Sequence, residues 1–498
     1  MRRSSGILMP VFSLPSEYGI GDFGKSSYNF IDFLSASGQK FWQILPLVQT
    51  GYGNSPYSSV CSTSFSTYYI SIEDLKDKGL LNQEEISYSI HLGKTIDYGF
   101  LYNVRLPLLK KAFSRFNKRD KEFLQFIKDG EYRDYALFTS IKYASGQKHF
   151  YEWSDKYKFR DEQTLKNFEE DYPEEVLFWQ FTQFIAKKQW LKVKAYANSK
   201  GISIIGDMPL YVALDSVDVW VNPKLYKLDD NFIPKKVAGV PPDYFCEDGQ
   251  LWGNPVYDYD YHKKDGFTWW ANRIEKALNI FDYVRIDHFR GLDRYYEIEN
   301  GAPNAKEGKW IDVPSAKLFS AIHKRVDKSR IIAEDLGIID DGVRALLKKT
   351  GYPGMKILSF AFNGEKDNLY LPKNIPQNSI CYTGTHDNDT LMGLITNASQ
   401  WDKTNLYNGV RESLVDMGLS MPLNNDIQLA NAIVELGFSS KAKLFIMPMQ
   451  DVIMASSDMR VNEPGTVKEQ NWAVRFGEEH FGSDLAKSLK KLTKQYKR

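Results

Sequence analysis

The sequence predicts a (β/α)8 barrel, an α/β fold of eight parallel strands alternating with helices, and three observations support it. Eight short apolar segments read as strands, strands and helical stretches alternate regularly from residue 283 onward, and acidic residues follow several strand ends. The predicted strands span 6–10, 41–47, 202–208, 283–288, 331–335, 356–361, 379–385 and 443–449.

The first two predicted strands belong to one β-α-β unit. GILMP (6–10) and FWQILPL (41–47) flank a helical stretch at 23–36, an arrangement that favours parallel pairing. A Gly-, Ser- and Tyr-rich loop at 51–59 follows the second strand and is either a plain turn or part of a site at the barrel mouth. This unit starts the barrel at the N-terminal end of the chain.

Two insertions separate the early strands from the later ones. Residues 65–200 have helical periodicity and little strand character, which predicts a mostly helical insertion subdomain after strand 2. The aromatic stripe at 178–190 within it is typical of core packing. Residues 221–265 are rich in Pro, Gly, Asp and aromatics and are predicted to be a long loop after strand 3, lying over a cleft as lids and binding loops do.

The rest of the chain completes a single barrel over 1–498. Helical stretches at 316–326 and 341–350 alternate with the later strands, and a basic terminal helix is predicted within 487–498. We expect no C-terminal β-sandwich domain.

Composition excludes several classes of partner. The 64 Lys and Arg residues balance 63 Asp and Glu residues, which argues against nucleic acid or an anionic membrane as the main partner. No apolar run is long enough for a membrane span, and the N-terminus makes a poor signal peptide, so we expect a cytoplasmic protein. The three cysteines lack metal-ligand spacing, and no cofactor or metal is expected.

Acidic residues at three strand ends predict the chemistry. Asp287 ends strand 4, Glu334 ends strand 5 and Asp387 follows strand 7. Barrel strand ends converge on one mouth, so these carboxyl groups should meet there. Three carboxyl groups without a metal signature suit glycosidic bond chemistry, in which one acts as nucleophile and another as acid and then base. Each acid on its own could instead form a structural salt bridge.

Neighbouring residues suggest the division of roles. Arg285 lies two residues before Asp287, on the same face of the strand, and should keep Asp287 ionised as a nucleophile. Glu334 follows the apolar run RIIA, which favours a raised pKa and the acid/base role. Asp387, beside His386, could hold sugar hydroxyls. The chain's aromatic content of 14% also suits a carbohydrate cleft.

Several motifs resemble one enzyme family across nearly the whole chain. They are GNSPYSS (53–59), IGDMPLYVALDSVDVW (205–220), GVPPDYFCEDGQLWGNPVYD (239–258), RIDHFRG (285–291), AEDLG (333–337), YTGTHDNDT (382–390), RVNEPGT (460–466) and NWAVR (471–475). In this order they resemble the 4-α-glucanotransferases (amylomaltase, disproportionating enzyme) of glycoside hydrolase family 77, in the α-amylase clan.

The resemblance implies a role for each matching residue. Asp287 would be the nucleophile, Glu334 the general acid/base and Asp387 the carboxylate that stabilises the transition state. The residues that would contact or position substrate are Tyr57, Asp215, Asp243, Trp252, Arg285, His288, His386 and Asn462. For Asp215 the role is either structural or substrate-positioning.

The implied reaction is retaining transfer of an α-1,4-glucan segment from a donor maltooligosaccharide, derived from starch or glycogen, to glucose or another glucan. Two alternatives stay open at the level of sequence. One is an α-glucan hydrolase of the same clan, and the other is a glucan-binding protein without catalysis.

Overall fold

The computed structural model describes residues 2–51, 53–242 and 247–498 and contains a barrel of eight parallel strands. All eight strands predicted from the sequence are confirmed, with ends that shift by a few residues. The barrel strands are β1 (Ser4–Leu8), β2 (Phe41–Gln43), β3 (Ser203–Met208), β6 (Tyr283–Ile286), β9 (Ile331–Ala333), β10 (Gly354–Ile357), β11 (Ser379–Tyr382) and β12 (Leu444–Pro448).

Neighbouring barrel strands follow the order β10-β11-β12-β1-β2-β3-β6-β9, and the two outer strands close the ring. The Ala333 N–H of β9 donates to the Pro353 carbonyl at 3.0 Å. Beyond it, the Asp335 carboxylate accepts the Met355 N–H at 2.5 Å. A side chain therefore completes the seam where the backbone ladder ends.

Alternation along the strands separates the barrel interior from the face covered by helices. Ile205, Ile332, Ile380 and Ile446 belong to a fully buried cluster that fills the interior. The neighbouring Ile204 belongs to the larger core shared with the surrounding helices. Because both faces are covered, the strands read as nearly continuous apolar runs.

Helices surround the barrel and build the insertion between β2 and β3. They are α1 (Lys25–Ala36), α2 (Ile72–Asp77), α3 (Gln83–Ser87), α4 (Tyr98–Arg115), α5 (Lys121–Asp129), α6 (Arg133–Ala144), α7 (Asp155–Lys158), α8 (Glu162–Asp171), α9 (Pro173–Ser199), α10 (Val217–Val221), α11 (Tyr259–Lys264), α12 (Thr268–Ile280), α13 (Ser315–His323), α14 (Asp341–Thr350), α15 (Leu391–Asn397), α16 (Gln400–Asp416), α17 (Asp426–Ser439), α18 (Met449–Val452) and α19 (Ser483–Gln495).

The long helix α9 joins the insertion to the barrel. Phe181 and Trp190 are fully buried, so the aromatic stripe is core packing, as its spacing indicated. The Trp190 ring lies 6.4 Å from Trp42 of β2, and its indole N–H donates to the Ile280 carbonyl at 2.9 Å. Whether residues 65–200 are an independent subdomain remains a prediction.

Residues 221–265, for which a long loop was predicted, contain regular structure in their described part. The strands β4 (Lys236–Val240) and β5 (Gln250–Pro255) pair with β7 (Arg294–Glu299) and β8 (Gly308–Asp312) in an antiparallel sheet of order β5-β4-β7-β8. The strands β4 and β5 are short, and β4 pairs with a segment distant in sequence, so local pattern did not reveal them. This sheet positions Trp252.

No helix in the described part of the chain is long and apolar enough to cross a membrane.

Candidate active site

Three charged side chains from adjacent strands form the centre of the barrel mouth. Asp207 of β3 pairs in register with Arg285 of β6, and its two carboxylate oxygens each accept from Arg285 Nη1 at 2.7 Å. The other guanidinium nitrogen, Nη2, lies 2.9 Å from Asp287 Oδ1. Arg285 and Asp207 are buried, whereas 26% of the Asp287 side chain is exposed. The predicted ion pair of Arg285 with Asp287 is therefore present, and Arg285 is shared with a second carboxylate.

Glu334 reaches the same mouth from β9 and is held by backbone N–H groups. Its Oε2 accepts the His288 N–H at 2.6 Å, and its Oε1 accepts the Leu336 N–H at 2.8 Å. His288 directly follows Asp287, so the first bond places the Glu334 carboxyl group beside the Asp287 segment. Glu334 is 8% exposed.

The turn after Asp287 depends on an unusual backbone conformation. His288 adopts a left-handed φ of 50°, a conformation that is uncommon for residues other than glycine. A Cβ at Gly291 would lie 2.4 Å from Leu210 and 2.9 Å from the His288 ring, so only glycine fits there. The strand end thus turns sharply, which aims the His288 N–H at Glu334.

Asp387 is anchored by Asn462. The Asn462 amide donates to Asp387 Oδ1 at 2.7 Å, and His386 Nε2 lies 3.3 Å from Asp387 Oδ2. The Arg460 guanidinium donates to the Asp387 carbonyl at 2.7 Å. The Asp387 side chain is 43% exposed, so its carboxylate remains open to a ligand.

A buried carboxyl group fixes the loop that carries His386 and Asp387. Asp451 of α18 accepts from the Thr383 hydroxyl at 2.5 Å and from the Leu391 N–H at 2.7 Å. Those two partners lie at the two ends of the loop. Burial raises the pKa of Asp451 to about 6, against hydrogen bonds that lower it.

Tyr57 links an aromatic wall to the charged centre. Its ring stacks on His386 with centroids 5.1 Å apart, and Trp472 lies 5.7 Å from Tyr57. Its hydroxyl donates to Asp207 Oδ2 at 2.6 Å. Burial raises the pKa of Tyr57 well above its usual value, so the hydroxyl stays protonated as a donor. Since His386 covers part of the ring, a sugar would meet only the remaining surface.

His288 and Trp252 form a second aromatic contact, next to Asp287 in the chain. The indole of Trp252, on β5, packs edge-on against the His288 ring at 4.8 Å and is 37% exposed. His288 Nε2 is buried and has no hydrogen-bond partner in the described residues. Burial, followed by the charge of Arg290, lowers the pKa of His288 to about 4, so the ring is neutral at pH 7. The predicted contact Asp243 lies outside the described residues.

Opposing effects act on the two central carboxyl groups. Burial raises the pKa of Asp287, Arg285 opposes that rise, and the nearby carboxylates of Asp207, Glu334 and Asp387 increase it. Burial also raises the pKa of Glu334, against Arg285 and its two N–H donors. The shared and largest cause is burial, which disfavours the charged form of each carboxyl group.

Asp215 is turned toward the helical insertion. Its carboxylate pairs with the Lys142 ammonium, lies 3.0 Å from His149 Nδ1 and accepts the Phe150 N–H at 3.0 Å. These contacts connect the segment after β3 to α6 and to the chain that follows it. The geometry thus gives Asp215 a structural contact; no described hydrogen bond joins it to the carboxyl groups at the barrel mouth.

Sequence reasoning did not select two residues that the structure brings into the site. Asp207 lies near the end of β3, just as Asp287 and Glu334 lie directly after the ends of β6 and β9. The expectation that polar residues at barrel strand ends meet at one mouth would therefore have selected it. Trp472, in the NWAVR motif, carried no signal beyond the motif. Trp472 has a left-handed φ of 64°, and its backbone carbonyl accepts a hydrogen bond from the Tyr98 hydroxyl at 2.8 Å.

Comparison with known proteins gives the family. A family model described as 4-alpha-glucanotransferase matches residues 9–479. The chain belongs to the 4-alpha-glucanotransferase family. The 4-alpha-glucanotransferase of Clostridium butyricum is 40% identical over 497 residues, covering 98% of this chain and 100% of that protein. The Thermus thermophilus enzyme is 40% identical over 482 residues, covering 95% and 94%.

Solved structures agree with the fold. An amylomaltase from Streptococcus agalactiae, in complex with acarbose, superposes with a TM-score of 0.94 at 38% identity and covers both chains fully. An amylomaltase from Corynebacterium glutamicum, at 18% identity and a TM-score of 0.79, covers 98% of this chain and 73% of its own and supports the fold alone. The resemblance stated from the motifs and the barrel prediction are both confirmed.

Proposed function

We propose that this 4-alpha-glucanotransferase transfers α-1,4-glucan segments between maltooligosaccharides with retention of anomeric configuration, using Asp287 as nucleophile and Glu334 as acid and base. The observation that carries the proposal is the placement of these two carboxyl groups. Asp287 is paired with Arg285, and its side chain is partly exposed. Glu334 is buried, and its carboxyl group accepts the N–H of His288, the residue after Asp287. Two carboxyl groups in one cleft with distinct surroundings fit the retaining mechanism.

In the first step an Asp287 oxygen attacks the anomeric carbon, and the bond from that carbon to the leaving O4 breaks. The proton of Glu334 moves to that oxygen, so the leaving glucan departs with a free 4-hydroxyl. A glucosyl ester on Asp287 results. The Arg285 guanidinium favours the ionised form of Asp287 before attack.

In the second step the 4-hydroxyl of an acceptor glucan attacks the same carbon. Its proton moves to Glu334, the ester bond breaks and Asp287 leaves as a carboxylate. Both enzyme groups return to their starting protonation. Glucose or a longer glucan serves as acceptor, and an enzyme of this kind transfers rather than hydrolyses when acceptor sugar excludes water.

The other polar groups would hold the sugar at the site of cleavage. The exposed carboxylate of Asp387, fixed by Asn462, suits ring hydroxyls of the distorted glucosyl unit. The neutral His288 has a buried Nε2 with no hydrogen-bond partner among the described residues, which suits a further hydroxyl. Tyr57 and Trp252 supply ring surface for stacking. Asp215 is best placed to support the insertion next to the site.

Glu334→Gln tests the assignment. The amide keeps the shape of the side chain but has no proton to give, so disproportionation of maltotriose should fall roughly 10²–10⁴-fold. Products are separated by chromatography, since a ladder of longer oligosaccharides with free glucose reports transfer. Near-normal activity of Glu334→Gln would refute the role. A rise in reducing ends without longer products would favour the glucan hydrolase instead.

A further inference from the structure

A buried ion pair that the proposed mechanism does not use lies at the seam of the barrel, where β9 and β10 meet. Asp335 directly follows Glu334, and its carboxylate reaches across the seam. Its Oδ1 accepts the Met355 N–H at 2.5 Å, and its Oδ2 lies 3.2 Å from Lys356 Nζ. Only 6% of the Asp335 side chain is exposed. Because each oxygen has its own donor, the carboxylate is held in one orientation.

Gly354 leaves the space that this carboxylate occupies. A Cβ at residue 354 would lie 2.6 and 2.7 Å from the two oxygens of Asp335. Gly354 does not have a left-handed φ, so the glycine supplies room rather than an unusual backbone conformation. The carboxylate therefore packs directly against the backbone of β10, and its place is built into the sequence of that strand.

The residues next to Asp335 connect it to the carboxyl group of Glu334. Leu336, which donates its N–H to Glu334 Oε1 at 2.8 Å, is the residue after Asp335. On the other side, the Glu334 N–H donates to the Ile286 carbonyl of β6 at 3.0 Å. Glu334 is thus held to β6 by its own backbone and to β10 by the side chain of the next residue. Without the second anchor, the Leu336 N–H could turn away from Glu334.

Met355 connects Asp335 to Arg285. The Met355 side chain is fully buried in the barrel interior, and its sulfur accepts from Arg285 Nε at 3.4 Å. A thioether is a weak acceptor, but it contacts the third nitrogen of a guanidinium whose other two nitrogens contact carboxylates. The Met355 backbone is held at its N–H by Asp335 and at its carbonyl by Lys356 Nζ, at 2.8 Å.

The charge of Asp335 also acts on Glu334. Burial raises the pKa of Glu334, and the Asp335 carboxylate adds to that rise. Burial raises the pKa of Asp335 as well, but Lys356 and the Met355 N–H oppose that rise and favour its ionised form. Asp335 therefore favours the proton that Glu334 must carry at the start of the first step. The other charged or titratable described residues that face Glu334 are Arg285, Asp287, His288 and Tyr370.

We propose that Asp335 is a positioning residue for both carboxyl groups assigned to the reaction. It fixes the backbone N–H that holds Glu334, and through Met355 it fixes the guanidinium that pairs with Asp287. The roles of Glu334 and Asp287 in this inference rest on the proposed function. The seam suits such a device, because there the backbone ladder of the barrel is interrupted and a side chain joins the strands.

Two substitutions at Asp335 separate its hydrogen bond from its charge. Asp335→Ala removes both, and kcat for maltotriose should fall about tenfold or more with little change in KM. Asp335→Asn keeps an oxygen for the Met355 N–H and should restore most of kcat at acidic pH. Because the negative charge is lost, the pKa of Glu334 falls, and the alkaline limb of kcat/KM should move to lower pH by about half a unit to one unit. Initial rates of glucose release over a pH series measure both effects.

Met355→Leu tests the connection to Arg285 and leaves the seam intact. The substitution conserves volume and keeps the backbone N–H that Asp335 accepts, but it removes the sulfur that accepts from Nε. We expect kcat to fall about three- to tenfold with little change in KM. The alkaline limb should stay at the position of the parent enzyme, because the charge beside Glu334 is unchanged.

Asp282→Asn is the matched control for Asp335→Asn. Asp282 directly precedes β6, at the opposite end of the barrel from the site. Its carboxylate accepts the Ile204 N–H at 2.8 Å and lies 3.7 Å from Lys194 Nζ, so it too joins a backbone donor and a lysine. Loss of its charge should leave kcat and the pH profile unchanged.

A parent kcat in Met355→Leu, or an alkaline limb that stays in place in Asp335→Asn, would overturn the inference, as would an equal shift in Asp282→Asn. If urea unfolding shows that the Asp335 variants do not fold, the kcat of Met355→Leu decides. Failure of the proposed function is a separate result, in which Glu334→Gln keeps near-normal activity. An inactive Glu334→Gln beside parent behaviour of the Asp335 and Met355 variants refutes this inference alone.

Discussion

Arg285 binds both oxygens of Asp207 at 2.7 Å and reaches Asp287 with its other terminal nitrogen at 2.9 Å. One buried cation therefore serves two carboxylates. Asp207 fixes the guanidinium in place, and Tyr57 in turn fixes Asp207. The orientation of the proposed nucleophile thus depends on a chain of contacts from two strands and the loop after β2, and each link can be tested by a separate substitution.

Tyr57→Phe tests the link from the aromatic wall. The variant keeps the ring stacked on His386 but loses the hydroxyl that donates to Asp207. Because a hydrogen bond to a charged group contributes about 1.5–3 kcal/mol, we expect kcat for maltotriose to fall about tenfold or more with little change in KM. Tyr57→Ala also removes the ring and should raise KM. These constants come from initial rates of glucose release.

Tyr407→Phe is the matched control, since it removes a hydroxyl bonded to Asp426 at 3.0 Å on the outer helices. It should leave both constants unchanged. A Tyr57→Phe enzyme with normal kcat would show that the hydroxyl does not help to orient the charged centre.

Arg285→Gln tests the electrostatic link to Asp287. The guanidinium lowers the pKa of Asp287 against the effect of burial. Asp287 must be ionised to attack, so activity rises with pH as it loses its proton. Removing the cation raises that pKa, and the acidic limb of kcat/KM should move to higher pH by about 1–2 units. A pH profile of maltotriose transfer measures the shift.

The control for Arg285→Gln is Arg294→Gln, whose guanidinium pairs with Asp340 beside the second sheet. Its profile should match that of the parent enzyme. An acidic limb that stays in place in Arg285→Gln would mean that Asp287 is not the group whose ionisation limits the rate.

Trp252→Ala tests whether the second sheet keeps water away. The indole packs on His288 at 4.8 Å at the edge of the site. Without it, water gains access to the glucosyl ester, so hydrolysis should increase several-fold relative to transfer. The measurement is the ratio of new reducing ends to longer oligosaccharides from maltotriose. Trp401→Ala, at an indole 70% exposed on α16, should not change this ratio.

The parts of the site that sequence reasoning predicted are those that depend on local pattern. Asp287, Glu334 and Asp387 follow apolar strands, and the barrel rule brings such ends together. The partners of Arg285 were harder to predict from the sequence, because Asp207 lies on the strand next to Arg285 in the barrel but is far from it along the chain. A pattern within one segment indicates which residues are polar, but it does not indicate which distant residue completes a hydrogen bond.

The second sheet shows the same limit for the fold. The strand β4 pairs with β7, and this pairing joins segments separated by a long stretch of chain. Gly and Pro in the segment 239–258 favoured a loop interpretation, although glycine at 239 is required there because a Cβ would lie 2.3 Å from the Gln250 carbonyl oxygen. Composition alone could not separate a glycine that permits a loop from one that permits close strand pairing.

Asp451→Asn tests the loop that carries His386 and Asp387. Burial raises the pKa of Asp451 from an ordinary value near 4 to about 6 in the folded protein. The folded state therefore binds this proton more tightly than the unfolded state between those values. The contribution of Asp451 to the free energy of unfolding is greatest below pH 4 and is lost as the pH rises through 6.

An asparagine at this position resembles the protonated acid, because its oxygen can accept the Leu391 N–H and its amide can donate to Thr383. Relative to the parent protein, Asp451→Asn should gain up to about 3 kcal/mol of unfolding free energy as the pH rises from 4 to 7. Urea unfolding at several pH values measures the difference.

The same experiment on Asp22→Asn is a useful comparison, because burial raises the pKa of Asp22 to about 6 as well, at a position in contact with Gly24 and Ser26. Only the change at Asp451 should also alter kcat, since only that carboxyl group holds the loop of Asp387. If the unfolding free energies of Asp451→Asn and the parent protein differ by a constant amount across this pH range, Asp451 does not bind a proton in the way proposed.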